Sequence, residues 1–130
     1  MNAAARKNAV SEYRKVDVRA NVESASPHRL IEMLLDGALE KIHFARGCME
    51  RREIGPKCEA IDWSLAILDG LSSSLDRDRG GEIASNLSGL YEYMMARLVQ
   101  ANAQNDLETL DEVSRLLGEI RQGWQGIRPN

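Results

Sequence analysis

The chain has 130 residues, of which 43% are hydrophobic, 28% charged and only 5% aromatic, the balance of one ordinary globular domain rather than of a multidomain chain. Lys and Arg number 17 against 20 Asp and Glu, and the net charge of -3 argues against the concentrated basic face of a nucleic-acid binder. The longest run without a charge, Ile83 to Tyr91, falls far short of the roughly 18 apolar residues of a membrane span. The opening Met1-Asn2-Ala3-Ala4-Ala5-Arg6-Lys7 lacks the apolar core of a secretory signal, so the expected address is cytoplasmic.

In chain order, residues 1-25 read as an N-terminal cap segment: a short amphipathic turn with Val10 and Tyr13 three apart, then an extended connector, because Val16, Val18 and Val22 disfavour a long helix. Residues 26-127 read as four amphipathic helices with no alternating strand pattern. The first begins at Ser26-Pro27, where Ser caps and Pro loses nothing by lacking an N–H, and its stripe is Ile31, Leu35, Ala38, Ile42, Ala45 and Met49, ending near Arg52. The second, after Gly55-Pro56, carries Ile61, Leu65, Leu68, Leu71 or Ser72, and Leu75, and is stopped by Gly80-Gly81. The third starts near Glu82 with Ile83, Leu87, Leu90, Met94, Leu98 and Ala101. The fourth is capped by Asn105, with Glu108 three residues on, and carries Leu110, Val113, Leu117, Ile120 and Trp124. Short connectors between helices of about 30 Å force neighbours antiparallel, so the predicted fold is an all-α, up-down four-helix bundle with a short N-terminal cap.

A bundle helix needs one apolar stripe, and several apolar residues fall outside it by helical angle. Trp63, Ile67 and Gly70 lie on an outer side of the second helix. Ala84, Ser88, Tyr91, Met95 and Val99 form a second band on the third, and Leu30, Met33, Leu34 and Phe44 stand off the core line of the first. Such faces either widen the core or accept apolar helical segments of another protein.

Catalytic and metal chemistry finds no anchor. His28 and His43 are about 22 Å apart along one predicted helix, which excludes a shared metal. Asp76-Arg77-Asp78-Arg79-Gly80-Gly81 opens like a calcium loop but has Leu87 where the bidentate Glu belongs. Cys48 and Cys58 lack metal or redox spacing and read as free thiols, although they lie symmetrically about residue 53 and would approach if a hairpin turned there. His43-Phe44-Ala45-Arg46-Gly47 offers one alternative function. It is similar to the phosphoacceptor run of histidine phosphotransfer domains, with His43 accepting the phosphoryl group and Arg46 offsetting its charge.

Two longer runs carry a more specific resemblance: Ser26-Pro27-His28-Arg29-Leu30-Ile31-Glu32-Met33-Leu34-Leu35-Asp36-Gly37-Ala38, and Gly80-Gly81-Glu82-Ile83-Ala84-Ser85-Asn86-Leu87-Ser88-Gly89-Leu90-Tyr91-Glu92-Tyr93-Met94. With Arg97-Leu98, Ala101-Asn102, Asn105-Asp106 and Trp124, they resemble the FliS family, the cytosolic export chaperones of bacterial flagellin, over about residues 10 to 125. The resemblance implies a non-enzymatic bundle that needs no cofactor. It also implies binding of the disordered C-terminal region of flagellin, work with the flagellar export apparatus, and further flagellar regulators as partners. Val10 and Tyr13 match the family's N-terminal apolar pair, which occupies part of the groove before the client. Residues 46 to 75 resemble the family in little beyond helical pattern, so Trp63 enters only through its helical angle. The expected contacts are Val10, Tyr13, Leu30, Leu34, Trp63, Ile67, Ala84, Tyr91 and Met95, with self-association through the same grooves left open.

Overall fold

The computed structural model describes residues 26-127, and the expected cap segment with Val10 and Tyr13 lies outside them. Four helices follow in order: α1 (Pro27–Glu50), α2 (Ile54–Ser73), α3 (Arg77–Gln104) and α4 (Leu107–Gly126). Each packs against its neighbours in the chain, and α1 closes the ring on α4, while the backbones of the diagonal pairs stand farther apart. This is the up-down antiparallel bundle.

The helix ends follow local chemistry. Ser26 Oγ accepts from the Arg29 N–H at 3.1 Å, with Pro27 at the first helical position, as expected. α1 stops at Glu50, slightly before the expected Arg52, because Arg52 adopts a left-handed φ of 57°. There the Glu53 N–H reaches the Cys48 carbonyl at 2.9 Å and the Arg52 N–H that of Met49 at 3.3 Å, a Schellman closure on a residue that is not glycine. α2 ends at Ser73, before Gly80-Gly81. The fourth helix is capped by Asp106, not Asn105: the Asp106 carboxylate accepts from the Glu108 and Thr109 N–H groups, while Asn105 takes the left-handed conformation that ends α3.

The core repeats at alternate spacings of three and four on α1 and α4, while α2 buries a broader face. α1 buries Leu35, Ala38, Ile42, Ala45 and Met49, α2 buries Ile61, Leu65, Leu68 and Leu71, and α4 buries Leu110, Val113 and Leu117. On α3 the expected stripe needs correction at its start. Stepping back from Ala101, Leu98 and Met94 by alternate threes and fours gives Tyr91, Leu87 and Ala84. Of these Tyr91 and Ala84 are buried and Leu87 half-buried, whereas Ile83 is 78% exposed.

Two features cause the shift. α3 has 28 residues against 20 in α2, so its first turns run past the end of α2 at Ser73 and leave Ile83 without a facing helix. Gly81, at φ 53° and ψ -127°, also kinks the helix there. The kink brings Gly80 so close to Ala84 that a Cβ on Gly80 would stand 2.7 Å from that of Ala84, and Arg77 folds back to donate to Ser88 Oγ at 2.8 Å.

Polar links lace the seams. Arg121 pairs with Asp36, and Arg46 Nε donates to Asp111 at 2.7 Å, both between α1 and α4. Between α3 and α4, Arg97 Nε donates to Glu112 Oε1 at 2.7 Å and the Tyr93 hydroxyl to Glu112 Oε2 at 2.9 Å. Between α2 and α3, buried Lys57 donates to the Asn102 carbonyl at 3.0 Å and to Asn105 Oδ1 at 3.1 Å, so the cation satisfies acceptors at the negative end of α3. Among the described residues no helix is long and apolar enough to cross a membrane.

Candidate partner-binding surface

The expected contact residues separate by depth. Leu30 and Met95 are half-buried, and so is Trp63, whose ring carries Lys41 Nζ at 5.7 Å from its centroid. Leu34, Ile67, Ala84 and Tyr91 are buried, so their expected outer placement is corrected. Ile67 is fully enclosed: it stands one turn after Trp63, whose ring meets Lys41 of α1, and two neighbouring helices together cover more of α2 than one seam. Ala84 and Tyr91 belong to the heptad core, and burial pushes the Tyr91 hydroxyl up to about 12.

What the surface offers instead is partly what helical angle had assigned to the core. Ile83 and Val99 on α3 and Phe44 on α1 are more than half exposed, and Tyr93 turns its ring outward while its hydroxyl is held by Glu112. Val99 and half-buried Met95 stand one turn apart on the α3 flank facing α2. Ile54 and Ile127 are exposed at helix ends. Helical angle places Val99 and Phe44 off the core line, as found, but cannot separate Ile83 from core, because exposure there depends on where each helix stops relative to its neighbours.

The alternative chemistry does not assemble. The Arg46 guanidinium is held on both Asp111 oxygens, at 2.7 and 3.2 Å, and on Glu50 at 2.6 Å, so it already neutralises two carboxylates rather than waiting beside exposed His43. Cys48 is buried with Arg51 Nη2 at 3.9 Å, whereas Cys58 faces Asn102 Oδ1 on α3 at 3.5 Å. Both thiols are free, and the two cysteines do not meet. Among the described residues no three His, Cys, Asp or Glu side chains gather as a metal site.

The sequence pattern of the flagellar protein FliS matches residues 9–130. The chain is 51% identical over 119 residues to the flagellar secretion chaperone FliSB of Pseudomonas aeruginosa, spanning 92% of this chain and 94% of that protein. It is 46% identical over 121 residues to the flagellar secretion chaperone FliS of Salmonella typhimurium, with 92% and 90% covered. The FliS of Bacillus subtilis is 32% identical over 105 residues, with 81% and 77% covered.

Proposed function

Because the chain belongs to the FliS family, whose relatives are flagellar secretion chaperones, we propose that its client is flagellin and that it holds the disordered C-terminal region of that protein in the cytosol, ready for export. The observation that carries the client reading is the apolar flank of α3, where exposed Val99 and half-buried Met95 stand one turn apart. Leu30 on α1 and Trp63 on α2 are further half-buried apolar side chains, whereas Leu34, Ala84 and Tyr91 are buried and reach a client only if the bundle opens.

The physical logic is that of stoichiometric shielding. Segments that form helices in a filament carry apolar stripes, and leaving these exposed invites premature association. A partner that lays them along its own grooves as helices removes that surface from water. Ordering a disordered segment costs conformational entropy, which spreads affinity over a large area and allows release. No nucleotide or metal enters this cycle.

Calorimetry with a flagellin C-terminal fragment tests the reading. Wild-type protein binds the fragment. Met95→Ala with Val99→Ser, substitutions at residues that are not fully buried, weakens binding by about tenfold while the helical circular dichroism stays unchanged. Equal affinity in the folded double variant would remove this flank from the contact surface, and absence of binding by wild type would sink the client assignment.

A further inference from the structure

The seam between α2 and α3 has a register that can be counted. Cys58 meets Asn102 across it, and the helices run antiparallel, so each step along α2 is matched by a step back along α3. Asp62 is therefore level with Leu98 and Val99, and Asp69 with Tyr91 and Glu92. Cys58, Asp62, Leu65, Asp69 and Ser72 follow one another by alternate fours and threes on the α2 flank. Ser88, Glu92, Met95, Val99 and Asn102 do the same on α3. The two flank stripes border one groove whose middle is apolar, with Leu65, Met95 and Val99.

The charges along this groove have one sign. Glu92 is exposed and Asp62 and Asp69 are half-buried, and none of the three forms an ion pair among the described residues. The two cations at its ends are both bound to neutral groups: Lys57 to the Asn102 carbonyl and Asn105, and Arg77 to Ser88 Oγ. Elsewhere on the bundle, carboxylates facing a neighbouring helix are matched by arginine, as Asp36, Asp111 and Glu112 are. An apolar trough edged by unmatched carboxylates calls for a cationic partner. A second copy of this chain seated groove to groove would bring carboxylates onto carboxylates, so self-association is disfavoured here.

We propose that the α2/α3 groove receives an amphipathic helix whose apolar stripe is flanked by Lys or Arg, and that Asp62, Asp69 and Glu92 select those cations. This rests on the client reading above and adds the chemistry that the docked client segment carries. Two designed peptides, identical in their Leu stripe but bearing Lys or Glu on its flanks, are titrated by fluorescence anisotropy against the full chain and its Asp62→Asn, Asp69→Asn, Glu92→Gln triple variant. Wild type prefers the Lys peptide by about tenfold at low salt, the preference shrinks as salt rises, and the triple variant, with an unchanged melting profile, shows none. Equal affinity of wild type for both peptides, or a preference that survives in the variant, overturns the proposal. The flagellin fragment, titrated in parallel, separates the two readings. If it fails to bind while the Lys preference holds, the client assignment falls and the groove chemistry stands. If it binds wild type and triple variant alike, the carboxylates do not select the client.

Discussion

His28 and Trp124 clasp each other across the open end of the bundle. The His28 Nε2–H donates to the Trp124 carbonyl oxygen at 2.9 Å, and the Trp124 Nε1–H returns a bond to the His28 carbonyl at 2.9 Å. Their rings stack at 4.7 Å between centroids, only 12° from parallel. The first turn of α1 and the last turn of α4 are thus tied together at the point where the helical ring closes on itself.

The clasp has a measurable consequence. Trp124→Phe keeps a ring but removes the donor, leaving the His28 carbonyl without its indole partner. Thermal unfolding of that variant is expected to show a loss of about 1 kcal/mol, against about 2 kcal/mol or more for Trp124→Ala, which also loses the stack. Equal melting temperatures for wild type and Trp124→Phe would show that the reciprocal bonds contribute nothing net.

Backbone conformation gives a pair of opposite effects. Arg52 occupies the left-handed position of a helix closure that favours glycine, so Arg52→Gly is expected to stabilise the fold by about 0.5–1 kcal/mol. Gly81 has open space around it but a φ of 53° with ψ of -127°, so Gly81→Ala costs about 1–2 kcal/mol through the backbone alone. Urea midpoints of the two variants should move in opposite directions, and a shift of Gly81→Ala toward higher urea would refute the strained kink.

Stability should fall at both ends of the pH scale for identifiable reasons. Burial raises the Tyr91 hydroxyl from its ordinary 10.0 to about 12, so the folded chain holds that proton more tightly than the unfolded chain. This contribution is complete below pH 10 and is lost as pH rises through about 12. At the acid end, hydrogen bonds from Arg97 and then Tyr93 hold Glu112 below its ordinary 4.5, so its contribution is complete above pH 4.5 and is lost as pH falls through the depressed folded value. Melting temperatures across pH test both: Tyr91→Phe flattens the alkaline fall and Glu112→Gln the acid one. Parallel pH profiles of variant and wild type would assign the falls to other groups.

The N-terminal segment gives a test in binding rather than in stability. A segment that occupies the client's groove part of the time lowers apparent affinity by the fraction of time the groove is closed. Deleting residues 1-15 is therefore expected to leave flagellin-fragment affinity intact or raise it in calorimetry. A large loss would make Val10 and Tyr13 direct contacts of the client.

The sequence by itself determined the helices, their number and their antiparallel order, because these depend on local quantities: apolar spacing, a capping Ser before Pro27, and connectors too short for parallel neighbours. It also determined the family, through long runs of matched residues, and the want of any catalytic or metal arrangement to propose. Tertiary structure alone decided that Ile83 is surface and that Leu34, Ile67, Ala84 and Tyr91 are core. Ile83 is exposed because α3 overruns its partner, and Tyr91 is buried because the packed stripe of α3 holds a spacing of three and four from Ala84 to Ala101. Neither the length mismatch nor the packing of that stripe is a property of a single helix. The same holds for the acidic edge of the α2/α3 groove: Asp62, Asp69 and Glu92 are unremarkable charges in sequence, and only the register fixed by Cys58 and Asn102 sets them along one trough.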